Sequence, residues 1–376
     1  MLYFDNASTT FPKFQDVYEK AMEIYKNIGI NFTRNKSIQS NLLENINKNL
    51  IDNLKNIYCS RDHEVILNSS ATFSLNEIIN GLDYSNIKTI YISPFEHNSV
   101  YRVLNKIQKI KNIDIEILKF NGYDLDFENM RIKFLSKKPD VIICNHSSNV
   151  FGNILPIEKI FQEGKKYSAI TIVDSAQSGG ILDFEKITPL SDFIVFAGHK
   201  GFYGPSGIGG YLYNKKISLE PLLYGGTGIK SEDLDMPEDL PERFQAGSPN
   251  TLGIIGLKMA TDKILEIGME EIRRVKNENF QKLYEILEEF DYDLEIISPR
   301  DNNVGIISVI GKDYSIKDLE KIFEQEEVVV RGGMHCAPLA HHQMKTNNGG
   351  TIRFSVGYFN KNEDFEELKK ILEQVM

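Results

Sequence analysis

Short apolar runs rich in β-branched residues recur along the first half of the chain, and longer segments of mixed polarity separate most of them. The runs occupy residues 64–67 (EVIL), 89–92 (TIYI), 140–144 (DVIIC), 170–173 (ITIV) and 192–197 (DFIVFA). Strand-like runs that alternate with longer segments are typical of βαβ units, in which helices connect parallel strands. The pattern therefore predicts an α/β domain with a mainly parallel sheet.

A cluster of polar residues directly follows each of these runs. The clusters are 68–72 (NSSAT), 93–99 (SPFEHNS), 145–149 (NHSSN), 174–177 (DSAQ) and 198–200 (GHK). Ligands of open α/β sheets bind beyond the carboxyl ends of the strands, so these clusters are expected to form one site. Strands that merely end in polar loops would explain any single cluster. They explain less well five clusters that contain His, Asp, Gln and Lys.

The pattern changes after residues 247–253 (GSPNTLG), where charged helical segments begin. One apolar helix face with i, i+3, i+4, i+7 spacing consists of Leu283, Ile286, Leu287 and Phe290. A domain boundary near residue 255 is therefore predicted.

Strand-like runs and a last helix follow this boundary. The runs span residues 304–310 (VGIISVI), 328–331 (VVVR) and 351–357 (TIRFSVG). The apolar face of the last helix consists of Phe365, Leu368, Leu372 and Val375. Asn360 and Glu363 have the spacing of a capping box at its start.

The composition is that of a globular protein, since 41% of the 376 residues are hydrophobic and 26% are charged. The net charge of −10 comes without a basic block, which argues against a nucleic acid or a membrane surface as partner. The first residues lack the pattern of a signal peptide, and no apolar run has the length of a membrane span. Three widely spaced cysteines predict no disulfide framework. We therefore expect a cytoplasmic protein.

Lys200 follows the last of the five apolar runs, within a glycine-rich segment. A lysine that is desolvated at the end of a buried strand can lose its proton and form a Schiff base. Most single lysines in such turns simply face solvent, but Asp174 also ends an apolar run, where an unpaired carboxylate would be costly. A Schiff-base lysine with an aspartate that pairs with a pyridinium nitrogen is the signature of pyridoxal phosphate enzymes.

Several strings in the chain resemble the cysteine desulfurase and selenocysteine lyase family, within the class V aminotransferases and fold-type I pyridoxal phosphate enzymes. The strings are 96–99 (EHNS), 174–177 (DSAQ), 198–210 (GHKGFYGPSGIGG), 243–250 (RFQAGSPN) and 331–341 (RGGMHCAPLAH). The likeness runs from 3–12 (YFDNASTTFP) to 351–360 (TIRFSVGYFN), which is nearly the whole chain.

The resemblance implies an α/β fold with a mainly parallel sheet of the seven-stranded type, helices on both of its faces and a smaller α+β domain. The large domain that binds pyridoxal 5′-phosphate would span residues 13–254. The small domain would combine residues 1–12 and 255–376, and would contain the catalytic cysteine loop and a carboxylate-binding arginine. A homodimer is also implied.

Roles at the cofactor follow from the same resemblance. Lys200 would bind the cofactor covalently, Asp174 would pair with its pyridine nitrogen, and Gln177 would donate to its ring oxygen. His97 would stack on the ring. The phosphate would be held by Ala71, Thr72, His199 and, from the partner subunit, Ser248. The chain departs from the family at Ala197, where related enzymes often have a serine or threonine that bonds the phosphate.

The substrate residues are likewise implied by the resemblance. Arg353 fits the carboxylate clamp for an amino acid, because a guanidinium matches carboxylate geometry, and Asn149 would assist it. Arg331 is a second candidate for binding the substrate. The alternative is that it is simply an exposed arginine at the end of a strand. Arg34 is a further residue that would face the site.

Cys336 distinguishes the chain from other class V enzymes. It lies in a short segment after two glycines and is flanked by His335, while His341 and His342 follow; the histidines would favour a thiolate. Cys59 and Cys144 are expected to be ordinary small apolar residues. The Cys and His residues also suggest a metal site, but a soft metal would quench the nucleophile, so we predict none.

The predicted activity is conversion of L-cysteine to L-alanine with a persulfide on Cys336, from which a sulfur-acceptor protein takes the sulfur. Selenocysteine lyase is the first alternative, because the same residues would serve L-selenocysteine. A class V aminotransferase is disfavoured, since it has no use for Cys336. A sulfur-carrier scaffold without catalysis is disfavoured because Lys200, Asp174, Arg353 and Cys336 are all present.

Overall fold

The computed structural model describes residues 1–32 and 37–376 of the chain. The strands are β1 (Leu2–Tyr3), β2 (Glu64–Asn68), β3 (Thr89–Ile92), β4 (Asp114–Ile117), β5 (Phe120–Asn121), β6 (Asp124–Leu125), β7 (Val141–Asn145), β8 (Ile170–Asp174), β9 (Phe193–Ala197), β10 (Gly209–Tyr213), β11 (Leu294–Ile296), β12 (Ile306–Gly311), β13 (Val328–Val329), β14 (Arg331–Gly333) and β15 (Thr351–Ser355). The helices are α1 (Gln15–Ile28), α2 (Ile38–Ile57), α3 (Ala71–Gly81), α4 (Asn98–Ile110), α5 (Phe127–Ser136), α6 (Ile157–Lys165), α7 (Thr251–Ile267), α8 (Met269–Glu288), α9 (Ile316–Gln325), α10 (Pro338–Gln343) and α11 (Asn362–Val375). Within these described ranges, no helix is long and apolar enough to cross a lipid bilayer.

The large sheet has seven strands in the order β2-β10-β9-β8-β7-β3-β4. The pairs from β9 to β4 are parallel, and β10 runs antiparallel to both β2 and β9. All five apolar runs of the sequence form strands of this sheet. The predicted α/β class with a mainly parallel seven-stranded sheet is therefore confirmed.

The two faces of this sheet are both buried under helices. Along β7, Ile142 and Cys144 pack into one apolar cluster with residues of α1, α2, α6 and α7, whereas Val141 and Ile143 pack into a second cluster with residues of α3 and α4. Strands of a parallel sheet are covered on both faces, which explains why their sequences are continuous apolar runs instead of alternating ones.

A second, antiparallel sheet has the order β11-β12-β15-β14. Its apolar side packs with residues of α8, α9 and α11, which form a separate core cluster. The first strand of the chain, β1, pairs in parallel with β13, so the N-terminus lies against the C-terminal part of the molecule. This is the smaller α+β unit that the resemblance implied.

The predicted boundary near residue 255 falls inside α7. The buried residues Ile255, Leu257 and Ala260 of this helix belong to the same core cluster as Leu43 and Leu54 of α2. A division that keeps α7 with the large sheet would fall at Gly268, between α7 and α8, where φ is 90°. The domain limits themselves stay a prediction.

Two details of the predicted helices are wrong. Helix α11 begins one position later than predicted: Lys361 precedes it, and its N–H donates to the Asp364 carboxylate over 3.0 Å. Asn360 instead donates to the Tyr3 carbonyl, so it fastens the turn before the helix. Phe290 lies beyond the end of α8 at Glu288, although Leu283 and Leu287 are buried on that helix.

Phe354 tests how much the small core contributes to stability. Its ring is fully buried in β15, 5.3 Å from the Phe323 ring and 6.4 Å from the Phe4 ring, measured between centroids. We expect Phe354→Ala to lower the free energy of unfolding by about 3–5 kcal/mol, because the lost contacts leave a cavity. Urea titration would measure the change. Ile132→Ala, at a position that is 63% exposed, is the control, and an equal effect of both changes would contradict the assignment.

Candidate active site

The carboxyl ends of the parallel strands and the start of α3 line one cavity. The predicted residues that line it are Ala71, Thr72, His97, Asn149, Asp174, Gln177, His199 and Lys200. They come from five different loops, so the convergence that the sheet topology predicts is present in the structure. The roles predicted for these residues in binding a cofactor and a substrate stay predictions.

Lys200 lies in the turn that follows β9. Glycine at 201 allows this turn to approach the segment after Gln177, since a Cβ there would be 2.3 Å from the Gly179 carbonyl oxygen. Burial lowers the pKa of the Lys200 amine to about 8, the nearby Asp174 carboxylate opposes this shift, and the charges of Arg353 and Arg331 add to it. A fraction of this amine is therefore neutral near pH 7, as a nucleophile or base requires.

The N-terminal segment holds the turn of Lys200 in place. The His199 carbonyl accepts hydrogen bonds from the hydroxyls of Thr9 and Thr10 and from Lys13 Nζ, the last over 2.6 Å. The Thr10 hydroxyl also donates to the Lys200 carbonyl. Burial lowers the pKa of Lys13 to about 7. No role for Thr9, Thr10 or Lys13 was predicted from the sequence, although Thr9 and Thr10 lie in the N-terminal string 3–12 that carries the family resemblance.

Asp174 ends β8 and is only 6% exposed. One carboxylate oxygen accepts the Ala176 N–H over 2.9 Å. Burial raises the pKa of Asp174, while this hydrogen bond and the Lys200 charge lower it. The carboxylate therefore has oxygen capacity left for a cationic or N–H partner in the cavity.

Glu96 is a second buried carboxyl group near Asp174, and the sequence analysis missed it. Its Oε1 accepts from the Ser93 hydroxyl over 2.5 Å and from the Asn145 N–H over 2.8 Å, while its Oε2 has no partner among the described residues. The pKa of Glu96 is raised to about 8, mainly by burial and in smaller part by the Asp174 charge, while the hydrogen bonds from Ser93 and Asn145 oppose the shift. At neutral pH Glu96 is therefore mainly protonated, which leaves Asp174 as the charged member of the two.

The start of α3 provides an anion-binding corner of the cavity. Ser70 caps this helix by accepting the Phe73 N–H, and Ala71 and Thr72 form its first turn, where backbone N–H groups lack helical partners. His199 lines the same cavity, and its buried Nδ1 has no hydrogen-bond partner in the described parts of the chain. Ala197 also lines the cavity and offers no hydroxyl group there.

His97 and Gln177 occupy two further walls. His97 precedes α4 and accepts the Ser99 N–H at Nδ1, while burial lowers its pKa to about 4, so the ring is neutral. A neutral ring of this kind can stack on a flat ligand. The side-chain amide of Gln177 donates one hydrogen bond to the Ala7 carbonyl over 2.9 Å.

Arg353 lies in β15 and is 1% exposed. Its guanidinium donates to Asp5 over 2.7 Å, to the Ser8 hydroxyl over 2.9 Å and to the Asn149 carbonyl over 2.7 Å. Its Nε has no partner within the described residues. The structure thus places this arginine between the N-terminal segment and the strand ends of the large sheet.

Cys336 lies in a tight turn between β14 and α10. Both His335 and Cys336 have left-handed backbones, with φ of 46° and 58°. The turn is fastened to the large domain, because the Asn98 N–H donates to the Cys336 carbonyl and the Asn149 amide donates to the His335 carbonyl, each over 2.7 Å. Asn149 is therefore engaged with the cysteine turn as well as with Arg353.

The cation beside the Cys336 sulfur is Arg331, whereas neither His335 nor His341 bonds that sulfur. The Arg331 guanidinium lies 3.6 Å from Sγ and also donates to the Ser8 hydroxyl. The buried His335 ring bonds Thr351, and the His341 ring bonds Thr346. Burial lowers the pKa of both rings, so both are neutral.

Four further residues singled out from the sequence do not line this cavity or fall outside the described residues. Ser248 is exposed and lines a different, mainly apolar cavity together with Phe32 and Phe244. Cys144 is buried in β7 and Cys59 is exposed. Arg34 lies outside the described residues. Within the described ranges, no group of three or more His, Cys, Asp or Glu residues has the geometry of a metal site.

Comparison with known proteins gives a consistent set of matches. The model of the aminotransferase class-V family matches residues 2–368. A protein of Pyrococcus abyssi named a probable cysteine desulfurase is 28% identical over 388 aligned residues, which cover 100% of this chain and 94% of that protein. A cysteine desulfurase of Pectobacterium carotovorum is 28% identical over 83% of this chain and 77% of its own length.

A solved structure shows the same architecture. The cysteine desulfurase of Thermococcus onnurineus superposes with a TM-score of 0.91 at 26% sequence identity, and the alignment covers 100% of this chain and 94% of that one. The fold-type I architecture that the resemblance implied is confirmed by this match.

The amine of Lys200 provides a direct test of the site's electrostatics. In the cofactor-free protein, its rate of acetylation by acetic anhydride should rise to half its maximum near pH 8, whereas exposed lysines ordinarily need a pH near 10.4. Asp174→Asn should move this midpoint lower, because it removes the charge that favours the protonated amine. Peptide mass spectrometry measures the acetylation rate of Lys200 in the unaltered protein and in Asp174→Asn. The exposed Lys317 serves as the reference that corrects for hydrolysis of the anhydride. A midpoint near pH 10 in the unaltered protein would contradict the assignment.

Proposed function

Because the chain belongs to the aminotransferase class-V family, whose members depend on pyridoxal phosphate, we propose that it is a cysteine desulfurase that converts L-cysteine to L-alanine. The supporting observation is the meeting of two parts: a half-buried Lys200 with the buried Asp174 at the sheet edge, and a cysteine turn that hydrogen-bonds to that edge through Asn98 and Asn149. An aminotransferase needs the first part only.

The residues of the cavity fit pyridoxal 5′-phosphate. The unpaired Nδ1 of His199 and the free N–H groups at the start of α3 suit a phosphate, and the Asp174 carboxylate suits a protonated ring nitrogen. Lys200 is the amine available for covalent attachment. When bound, the cofactor would supply an electron sink for the substrate's Cα.

Arg353 is proposed to bind the substrate carboxylate, with Arg331 as a second donor. The unpaired Nε of Arg353 is a donor left over after its contacts with Asp5, Ser8 and Asn149. A carboxylate that approaches this guanidinium would compete with Asp5 for it. Asn149 would assist by holding Arg353 in place through its backbone carbonyl, because its side-chain amide already donates to the cysteine turn.

Lys200 and Cys336 would divide the chemistry. The neutral amine of Lys200 would accept the proton from the substrate Cα and return protons to carbon. The Cys336 thiolate would attack the substrate sulfur: the sulfur–sulfur bond forms, the carbon–sulfur bond breaks, and its electron pair stays with the carbon that becomes the methyl group of alanine. Arg331 beside Sγ suits an anionic sulfur. The product is a persulfide on Cys336.

A homodimer is part of the proposal. Ser248 does not line the Lys200 cavity within one chain; it lines an apolar groove that also contains Leu223, which is 50% exposed. This placement is what a serine that serves the partner subunit's phosphate would show. A sulfur-acceptor protein would then take the sulfur from Cys336, in the cytoplasm.

Selenocysteine lyase remains the second candidate, because Arg353, Lys200 and Cys336 would handle L-selenocysteine in the same way. Comparing alanine formation from the two amino acids separates these activities. Bound cofactor with no alanine release from either one would instead support a carrier scaffold.

One prediction of this proposal concerns the attachment of the cofactor. Protein purified with pyridoxal phosphate should be yellow, and borohydride should fix the cofactor to the peptide that contains Lys200, because its amine lines the cavity and its pKa is lowered to about 8. Peptide mapping by mass spectrometry identifies the residue. Lys200→Ala should remain uncoloured, whereas Lys13→Ala tests whether the neighbouring low-pKa amine reacts instead. A modified peptide without Lys200 would refute the assignment.

Another prediction concerns the residue that takes the sulfur from the substrate. Cys336→Ala should keep its colour and fold but lose most alanine release from cysteine, because no thiolate remains beside the substrate sulfur. Some selenocysteine cleavage should survive, since selenium leaves more easily. Mass spectrometry after brief exposure to cysteine should find an added sulfur on the Cys336 peptide of the unaltered protein.

The matched control is Cys59→Ala, which removes the exposed cysteine and should leave both the persulfide and the alanine release unchanged. Full cysteine turnover by Cys336→Ala, or a persulfide confined to another cysteine, would rule out the proposed mechanism.

A further inference from the structure

A second cavity of the described chain is larger than the one around Lys200. It has a volume of about 820 Å³ and lies where α7 meets α8, between the large sheet's helices and the loop before β12. It shares no lining residue with the Lys200 cavity. The reaction proposed above makes no use of it.

A buried lysine faces this second cavity. Lys276 of α8 is 9% exposed, and no described residue pairs with its amine through a hydrogen bond or an ion pair. Its stem lies against Gly305, where a Cβ would come within 2.8 Å of the Lys276 Cε. Glycine at this position therefore leaves room for the lysine. Burial lowers the pKa of Lys276 to about 8, with no compensating charge.

The N-terminus of α8 lines the same cavity. Gly268 precedes this 20-residue helix and provides no side-chain cap, so the first-turn N–H groups lack protein partners of that kind. Arg273 lies three residues before Lys276, on the neighbouring position of the helix surface, and is exposed. Two acidic residues of the first turn also line the cavity: Glu271 is paired with Arg274, and Glu270 is exposed to solvent. Arg273 and Lys276 are the cations of this wall that have no acidic partner among the described residues.

The opposite wall is apolar. It includes the buried side chains of Ile181, Leu182 and Val304, with Ile267 at the end of α7. A bare inorganic anion would leave this wall uncovered. A ligand with an apolar body and one acidic group would cover the wall and would also supply the acceptor that the Lys276 amine lacks.

We propose that this cavity binds an organic anion, with its carboxylate at Lys276 and its apolar body against Ile181, Leu182 and Val304. The ligand class is a small aromatic or aliphatic carboxylate. The site is independent of the proposed desulfurase activity, because no residue is common to the two cavities.

Isothermal titration of the cofactor-loaded protein with 2-naphthoate tests the proposal. We expect saturable binding that weakens at least tenfold in Lys276→Met, which keeps the length of the side chain but removes the amine. Lys282→Met, an exposed position on the same helix, should bind as the unaltered protein does. The uncharged 2-naphthalenemethanol should bind at least tenfold more weakly than naphthoate, and equally to all three proteins.

A second measurement needs no variant. Naphthoate should protect Lys276, and not Lys282, from acetylation in the unaltered protein. Equal naphthoate affinity of the unaltered protein and Lys276→Met, or acetylation of Lys276 that naphthoate does not slow, would overturn the proposal. Displacement of naphthoate by millimolar inorganic phosphate would also overturn it, because the site would then select charge alone.

Discussion

The burial of the Lys200 amine opposite Asp174 is the constraint on which the site depends. Burial favours the neutral amine and the neutral acid, whereas the attraction between the two groups favours both charged forms. The result is a lysine with a pKa of about 8, which is partly neutral and still close to a charged carboxylate. Protonated Glu96 adds no charge to this balance at neutral pH. The parallel strands β8 and β9, which end side by side, hold the two groups in place.

The N-terminal segment couples this pair to the rest of the molecule. Through Thr9, Thr10 and Lys13 it holds the turn of Lys200, and through Asp5 and Ser8 it contacts Arg353. Its first strand belongs with β13 of the small domain. Any movement of the small domain would therefore be transmitted both to the carboxylate-binding arginine and to the backbone of the lysine turn. The Ser8 hydroxyl extends the same chain of contacts to Arg331 and the sulfur of Cys336.

Much of this arrangement was predictable from sequence, because strand runs and the polar residues that follow them are local patterns. The convergence of His97, Asp174 and Lys200 then follows from the parallel topology. What escaped prediction depends on contacts between distant segments: the hydrogen bonds of Lys13 to the His199 carbonyl, the partnership of Arg331 with Cys336, and α7 crossing the expected boundary. Adjacent histidines suggested a basic environment for Cys336, but the His335 ring bonds Thr351 and the His341 ring bonds Thr346. Local sequence does not determine such directions.

Some of the buried polar atoms without protein partners among the described residues lie at the proposed active site. Nδ1 of His199 and Oδ1 of Asn149 belong to residues that line the Lys200 cavity, and Nε of Arg353 belongs to a guanidinium that donates to the Asn149 carbonyl. Native proteins satisfy nearly all buried polar groups, so several unsatisfied ones at the edge of a single cavity indicate that a ligand completes them. Lys276 differs from Lys200 in having no carboxylate opposite it, and it belongs to a cavity with its own apolar wall. A ligand that completes the second cavity must therefore bring the negative charge that Lys276 lacks.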